Sequence, residues 1–305
     1  MEKSDMQSPV QNSCFFGCLD ILGFKDIVKH NSFEQLKGIV ERFTIECAKA
    51  ADRSRSIDAG KVNVRLKIES GVHVRIVSDS IYVWTEKEDH LNQFDDLLQM
   101  VSAMMVSGFQ VGLPLRGVVT FGQLFLGDIS IPEDIPLDFA FDVGSIYGRA
   151  LVEAYELESQ MNWSGVLLTP KAWKKVAGEF ERCKTQGVRA IMRSGNIERP
   201  SDLFNHFPYL LWCKVPFKRG TRRNAIALNW NYHPCHELSA KMIRNAFVER
   251  CGGVGEADDA VKEKLNETIR FYEYTQQVAD LCNHNLKKEL PVPDSDYVLS
   301  NIGYA

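Results

Sequence analysis

The fold is decided by the stretch Phe15-Phe16-Gly17-Cys18-Leu19-Asp20-Ile21-Leu22-Gly23-Phe24-Lys25-Asp26, an apolar run of strand length that ends in one carboxylate and a glycine before a helical pattern begins. Because an unpaired buried carboxylate costs several kcal/mol, a cation or another polar partner should bind Asp20. A second apolar run, Val72 to Trp84, carries another isolated acid, Asp79, between two serines. Two acids on two strand-like runs predict a metal site.

Outward from this stretch, the residue pattern predicts strands alternating with helices. The predicted strands are Cys14–Asp20, Val62–Ile68, the two arms of a hairpin over His73–Trp84, Leu115–Gly122, Gly165–Leu168, Tyr209–Val215 and Ala225–Trp230. The predicted helices are Phe24–Ala51, His90–Ser107, Ile146–Met161, a short one from Thr169-Pro170 to Ala177, Glu237–Arg250 and Asp258–Leu286. The polar segment Glu179–Ser201 is predicted to be a loop.

The order strand, helix, strand pair, helix, strand is that of a ferredoxin-like split βαβ unit. We therefore expect an α+β sandwich, a mixed sheet with helices, in which the first strand lies beside the central hairpin. That arrangement would bring Asp20 and Asp79 together. Three parts are expected: a flexible tail over residues 1–13, a main domain over 14–232 and a helical C-terminal extension over 233–305.

Composition gives no sign of nucleic-acid or membrane binding. The chain has 305 residues, with 36 Lys and Arg against 40 Asp and Glu, a net charge of -4. Such a balance provides no electrostatic footprint for nucleic acid or an anionic membrane. The polar N-terminus has no signal-peptide core, and the eight cysteines form no CxxC pair. We expect a cytoplasmic protein with reduced thiols.

Two neighbouring carboxylates repel each other, and a divalent ion is the common way to stabilise such a pair. Mg²⁺ prefers one or two carboxylates together with substrate phosphates, and two ions can promote in-line displacement at phosphorus. The turn from Leu22 to Lys25 would present free N–H groups to a phosphate at a helix start. The chemistry therefore favours phosphoryl or nucleotidyl transfer. The alternatives are that Asp20 caps the following helix and that Ser78-Asp79-Ser80 is simply a hairpin turn.

The same motifs resemble those of a known family. Leu19-Asp20-Ile21-Leu22-Gly23-Phe24, followed by Ser78-Asp79-Ser80-Ile81, is similar to the two-aspartate signature of class III nucleotidyl cyclases. Arg116-Gly117-Val118-Val119-Thr120-Phe121-Gly122 resembles the Arg-Gly strand of that family. Ile146-Tyr147-Gly148, with Tyr155-Glu156-Leu157-Glu158-Ser159 farther on, resembles its post-loop helix. The resemblance spans residues 14 to 232, which would then form the catalytic domain.

Within this family the chain looks most like the bacterial pyrimidine cyclases of the Pycsar antiphage system. The resemblance implies two Mn²⁺ or Mg²⁺ ions held by Asp20, Asp79 and the backbone carbonyl of Ile21. The turn formed by Leu22, Gly23, Phe24 and Lys25 would hold the triphosphate. One ion would help to deprotonate the ribose 3′-hydroxyl, which attacks the α-phosphate and expels pyrophosphate.

The base-selecting positions of the family correspond to Arg75 and Ser145. Arginine only donates hydrogen bonds, so Arg75 suits the O2 and O4 acceptors of uracil better than the N4 amino group of cytosine. The resemblance therefore favours UTP over CTP. The alternative for Arg75 is a solvated strand arginine.

One part of the family pattern is missing. Val152 and Glu156 occupy the positions of the Asn and Arg that serve the ribose and the transition state. Arg149, or the basic segment 218–223, would have to supply the positive charge.

The resulting expectation is a uridylate cyclase that makes 3′,5′-cyclic UMP for a separate effector protein in antiphage defence. The family implies a head-to-tail homodimer with active sites at the interface. The alternatives are a cytidylate cyclase, a non-catalytic nucleotide-binding module of the same fold, and another two-metal phosphoryl-transfer enzyme.

Overall fold

The computed structural model describes residues 10–58, 71–86, 91–128, 144–185, 207, 209–232, 238–248 and 259–283. The strands are β1 (Val10–Ile21), β2 (Val72–Val77), β3 (Ser80–Thr85), β4 (Leu115–Asp128), β5 (Gly144–Tyr147), β6 (Val166–Leu168), β7 (Leu210–Pro216) and β8 (Arg222–Leu228). The helices are α1 (Phe24–His30), α2 (Phe33–Asp58), α3 (Leu91–Val111), α4 (Arg149–Gln160), α5 (Pro170–Thr185), α6 (Ala240–Val248) and α7 (Asp259–Asn283). Short 3-10 turns cover Lys218–Gly220 and Trp230–Tyr232.

The strands form a mixed sheet in the order β2-β3-β1-β4-β6-β8-β7, with β5 beside β4. The β4-β1-β3-β2 part is antiparallel throughout, whereas β6 runs parallel to β4. This order confirms the predicted ferredoxin-like α+β arrangement, because β1 lies between the hairpin and the fourth strand. The turn of the β2–β3 hairpin and the C-terminal end of β1 therefore lie next to each other, at the same end of the strands.

Side chains of β1 alternate between the two faces of the sheet. Phe15 faces α3, where its ring lies 4.5 Å from that of Phe94. A Cβ on Gly17 would also meet Val101 of α3, at 3.6 Å. Asp20 falls on the opposite face, the one against which α4 packs. The alternation of side chains along β1 thus places the Asp20 carboxylate on the face of the sheet opposite α3.

Helix α7 is part of the hydrophobic core. Its Phe271 ring lies 4.4 Å from the ring of Trp163 and 5.8 Å from that of Trp230, and both tryptophans are fully buried. The Tyr272 hydroxyl donates a hydrogen bond to the Leu238 carbonyl at 2.8 Å. The C-terminal helical region therefore packs on the same core as the sheet.

The predicted helix over Phe24–Ala51 is two helices, α1 and α2. The break falls at Ser32, whose N–H donates to the Gln35 side chain at 2.7 Å, while the Gln35 N–H donates to the Ser32 hydroxyl at 3.3 Å. This reciprocal pair is a capping box and starts a new helix. The signal was present in the sequence as Ser32-Phe33-Glu34-Gln35, but continuous helical spacing of apolar residues concealed it.

Other boundaries also differ from the sequence prediction. Ile146 and Tyr147 lie in β5 and not in a helix, because they pair with Leu126 and Phe125 of β4. Helix α5 continues to Thr185, into the predicted loop. Strand β1 begins at Val10, within the segment expected to be a tail. The predicted strand Val62–Ile68 lies outside the described residues.

In none of the helical segments that the structure describes is there a stretch both long and apolar enough to span a bilayer.

The packing of α7 predicts a large stability loss in Phe271→Ala. Because Phe271 is only 6% exposed, we expect its removal to lower the free energy of unfolding by about 3–5 kcal/mol. Urea unfolding followed by circular dichroism measures this change. Arg270→Ala, on the exposed side of the same helix, is the matched control and should change stability little. Equal stability of the two variants would show that α7 is not part of the core.

Candidate functional site

Asp20 lies near the C-terminal end of β1, between two neighbouring strands. Its backbone is opposite Ser80 of β3 on one side and opposite Arg116 of β4 on the other. Gly117 allows β4 to approach closely here, since a Cβ at this position would lie 2.5 Å from the Cys18 carbonyl oxygen. The Arg-Gly pair thus sets an arginine directly beside the carboxylate.

Asp79 belongs to the two-residue turn between β2 and β3. Ser78 in this turn has a positive φ of 57°, which a tight hairpin turn requires. The Ile21 N–H donates a hydrogen bond to the Asp79 carbonyl at 2.9 Å, and this bond ties the turn to the end of β1. The structure therefore places Asp20 and Asp79 close together, and metal binding by the pair stays a prediction.

Arg116 joins Asp20 to α4. Its Nη2 donates to Asp20 Oδ2 at 3.2 Å, and its Nη1 donates to the Met161 carbonyl at 3.2 Å. Its Nε forms an ion pair with Glu158 Oε1. The Glu158 side chain is 3% exposed, whereas that of Asp20 is 26% exposed. The arginine is therefore held between one buried and one half-buried carboxylate.

Arg116 and Glu158 are the site residues that sequence reasoning missed. Arg116 was seen only as part of a motif, although a charged residue within the apolar run Leu115–Val119 was itself a signal. Glu158 follows Ala150 and Ala154 at four-residue spacing on the buried face of α4. A carboxylate on the apolar face of a helix indicates a buried partner of opposite charge.

Burial raises the pKa of Asp20, and the negative charge of Asp79 raises it further, while Arg116 and Lys264 lower it. Burial also raises the pKa of Glu158, with a contribution from Asp20, while Arg116 and Lys218 act in the opposite direction. A cation at Asp20 would relieve this excess of negative charge. The carboxylate pair thus fits the ligand set that Mg²⁺ or Mn²⁺ prefers.

Cys18 faces the same side of the sheet as Asp20, but Mg²⁺ and Mn²⁺ prefer oxygen ligands to sulfur. Burial raises its pKa to about 12, and the charges of Glu158 and Asp20 add to this effect. When no metal is bound, the thiol therefore stays protonated at neutral pH. Across the part of the chain that the structure describes, no group of three or more His, Cys, Asp or Glu side chains is arranged to hold an ion. The site would have to take its remaining ligands from backbone, substrate and water.

The predicted phosphate-binding turn leads directly from β1 into α1. Gly23 precedes the helix with a φ of 73°, and no side chain caps the helix start, so Asp20 is not its cap. The Leu22 N–H is engaged, because it donates to the Pro114 carbonyl at 2.8 Å. Among the described residues, the N–H groups of Gly23, Phe24 and Lys25 have no acceptor. Phosphate binding by this turn stays a prediction, and only these three N–H groups are free for it.

The residues predicted to select the base lie apart within one chain. Arg75 is exposed on β2, opposite Tyr82, and the register leads from there across β1 to Val118 of β4. Ser145 pairs with Gly127, nine residues farther along β4, which is about 30 Å in an extended strand. The register thus does not bring Arg75 and Ser145 together, and their roles stay predictions.

The candidate replacements for the missing arginine differ in position. Arg149 begins α4, about 14 Å along the helix axis from Glu158, which lies near its other end. Lys218 lies near the site, because its charge lowers the pKa of Glu158, and Phe217 beside it bridges to Met161. Val152 and Glu156 are exposed on α4. Within one chain, Lys218 is therefore nearer to Glu158 than Arg149 is.

No protein-family model matches this chain, and neither does any curated protein. Solved structures do resemble it. The catalytic core of a rhodopsin-guanylyl cyclase with converted specificity, in complex with ATPalphaS, shares 11% identity at a TM-score of 0.43, covering 73% of this chain and 99% of that one. The guanylate cyclase domain of RhGC from Catenaria anguillulae, in complex with GTP, shares 11% identity at a TM-score of 0.42, and the match covers 72% of this chain and 97% of that one. A bacterial light-regulated adenylyl cyclase shares 13% identity at a TM-score of 0.41, and the match covers 73% of this chain and 53% of that one. Because these values leave each superposition loose, the function proposed below rests on strand order and site geometry.

The raised pKa of Glu158 predicts a pH dependence of stability. Folded protein holds this proton more tightly than unfolded protein does, so the free energy of unfolding should fall as pH rises from the ordinary value of 4.5 through the raised folded value. Chemical unfolding at a series of pH values, in the presence of a chelator, measures the slope. Glu158→Gln should have a shallower slope in this window, and the exposed Glu156→Gln should follow the wild-type protein. A wild-type slope in Glu158→Gln would contradict the assignment.

Proposed function

We propose that this chain is a nucleotidyl cyclase that converts UTP to 3′,5′-cyclic UMP and pyrophosphate. The observation that carries the proposal is the meeting of Asp20 and Asp79, held by the backbone bond between Ile21 and Asp79, beside a turn with free N–H groups. The ferredoxin-like strand order and the motifs around both acids support it. The alternative that Asp20 serves only as a helix cap does not apply, since α1 has no side-chain cap.

Asp20, Asp79 and the Ile21 carbonyl would hold two Mn²⁺ or Mg²⁺ ions. Bound there, such ions supply acidity to a hydroxyl and neutralise phosphate charge. Arg116 holds the Asp20 carboxylate in place through Oδ2 and leaves its other oxygen for a ligand. The N–H groups of Gly23, Phe24 and Lys25 would donate hydrogen bonds to phosphate oxygens.

The reaction forms a bond between the ribose 3′-oxygen and the α-phosphorus, and it breaks the bond from that phosphorus to the bridging oxygen of the β-phosphate. The proton of the hydroxyl passes to solvent, and pyrophosphate leaves with the electron pair. We propose that cations near the site stabilise the negative charge that develops in the transition state. Arg149 of a second protomer is the candidate for this role. Arg75 would donate to uracil, and Ser145 would complete base selection.

We propose a homodimer because the remaining candidate residues are separated in one chain. Three large side chains on β5 and α4 are exposed: Tyr147 at 52%, Val152 at 55% and Tyr155 at 63%. Val152 and Tyr155 share one face of α4, since residues three apart are neighbours on a helix. A second copy seated there would bury this face and bring Arg149 and Ser145 toward the partner's Asp20–Asp79 pair. The product would then act on a separate effector protein in antiphage defence, in the cytoplasm.

Product analysis tests the activity directly. We expect the protein, incubated with each of the four ribonucleoside triphosphates and Mn²⁺, to make cyclic UMP from UTP, identified by mass. Asp20→Asn and Asp79→Asn should each lower turnover at least about a hundredfold, because loss of one metal-binding carboxylate weakens stabilisation of phosphate charge. Asp26→Asn, a half-exposed acid on α1, is the matched control.

The outcomes separate the candidates. Formation of cyclic CMP from CTP would identify CTP, and not UTP, as the substrate. Arg75 would then have no role in selecting uracil, and Arg75→Gln should leave turnover unchanged. Nucleotide binding without turnover would favour a non-catalytic module, in line with Glu156 at the family's arginine position. Full turnover in either aspartate variant would remove the metal-site assignment.

The exposed face of α4 predicts a specific effect on assembly. Tyr155→Asp places a charge in the proposed interface and should convert the dimer to a monomer, with loss of turnover, because burying an unpaired charge is costly. Sedimentation velocity measures the mass. Tyr232→Asp, which also changes a half-exposed tyrosine, is the control and should stay dimeric. A wild-type protein that sediments as a monomer while fully active would contradict the proposed dimer.

A further inference from the structure

The guanidinium of Arg116 is held at three points, and two of them belong to the end of α4. Its Nε forms an ion pair with Glu158 Oε1, and its Nη1 donates to the Met161 carbonyl at 3.2 Å. The Met161 N–H donates in turn to the Glu158 carbonyl at 3.0 Å. The third point is Asp20, which accepts from Nη2. The last turn of α4 therefore determines how the arginine approaches Asp20.

The contact between Arg116 and Asp20 uses one carboxylate oxygen. An arginine beside a carboxylate often forms two parallel bonds, one to each oxygen. Arg116 and Asp20 are directly opposite each other in the β1–β4 ladder, so their side chains start from the same face of the sheet. Across the described residues, however, the pair has the single bond from Nη2 to Oδ2 at 3.2 Å. The other two contacts of Arg116 explain the difference.

Glu158 occupies an edge of the guanidinium that a two-point pair could use. Nε carries only one N–H, so its pair with Glu158 leaves none for Asp20. The Glu158 side chain is 3% exposed and that of Arg116 is 13% exposed, so little water competes with this pair. The negative charge of Glu158 also offsets the positive charge of the arginine, which by itself would repel a cation at Asp20.

We propose that Glu158 is a positioning residue, which restrains Arg116 and thereby keeps one oxygen of Asp20 available to a divalent cation. This inference rests on the proposed function, in which Asp20 is a cation ligand. Residues that orient a ligand side chain affect metal affinity although they never touch the ion. Without Glu158, the guanidinium would turn toward Asp20 and pair with both of its oxygens.

Two other roles of Glu158 predict different behaviour. A carboxylate that only attracted the cation from a distance would act whether or not Arg116 is present. A carboxylate that only stabilised the fold would leave cation affinity unchanged in any variant that folds. A positioning role acts through Arg116, so the effects of substituting the two residues on cation affinity must be coupled.

The test measures the binding of Mn²⁺ to the full chain, with and without a non-hydrolysable UTP analogue, by electron paramagnetic resonance of the free ion. We expect Glu158→Gln to weaken Mn²⁺ binding about tenfold, as loss of a residue that orients a metal ligand commonly does. In an Arg116→Gln background the same change should alter the affinity less than about twofold, because there is no arginine to restrain.

Glu153→Gln is the matched control. Glu153 is an acid on the same helix, but it pairs with Lys171 at the surface. Its substitution removes the same charge from α4 without touching Arg116. We expect this variant to bind Mn²⁺ as the wild-type protein does.

Glu158→Asp separates position from charge, because it keeps the carboxylate and withdraws it by one methylene group. We expect this variant to weaken Mn²⁺ binding about threefold or more, since the restraint on Arg116 is lost while the charge remains. A charge that acted only from a distance would give wild-type affinity here. Circular dichroism shows which variants fold, and Glu158→Asp decides the question if Arg116→Gln does not.

The outcomes separate this role from the proposed function. Wild-type Mn²⁺ affinity in folded Glu158→Gln would overturn the positioning role and leave the proposed function standing. An equal loss of affinity with and without Arg116 would also overturn it, in favour of attraction at a distance. If the wild-type protein binds Mn²⁺ neither alone nor with the UTP analogue, the proposed function fails, and this role fails with it.

Discussion

Arg116 holds two acids that would otherwise repel each other, Asp20 at the end of β1 and Glu158 near the end of α4. Removing one partner of such a group leaves uncompensated charge, which is why its members are coupled in energy as well as in space. The same side chain also bonds to the Met161 carbonyl, where the chain leaves α4 toward Trp163. The position of the candidate site thus depends on the packing of α4, β1 and β4 together.

Much of the fold could be predicted from the sequence because hydrophobic period and turn chemistry agree there. The hairpin around Ser78 and Asp79 was clear from two β-rich arms with a polar turn between them. The meeting of Asp20 with Asp79 then followed from topology. Two of the boundary errors have a clear physical reason: the Ser32 capping box interrupts a pattern that looks continuous, and strand pairing with β4 overrides the helical spacing at Ile146.

The candidate site was harder to predict, because its charges come from elements far apart in the chain. Glu158 carries no local signal that identifies its partner, and its ion pair with Arg116 of β4 depends on how α4 packs against the sheet. A sequence pattern also gives no distance between two residues in the folded chain. Arg75 and Ser145 are predicted to contact the same base, yet the strand register of one chain holds them far apart along the sheet.

The bond from the Ile21 N–H to the Asp79 carbonyl has a consequence for how such a chain can change over evolutionary time. Because main-chain atoms fix the spacing of the two acids, side chains around them can drift without moving either one. Changes of length are different, since one inserted residue in β2 or β3 would turn every following side chain to the other face of the sheet. We therefore expect insertions and deletions to be excluded from this hairpin and to accumulate in the loops beyond it.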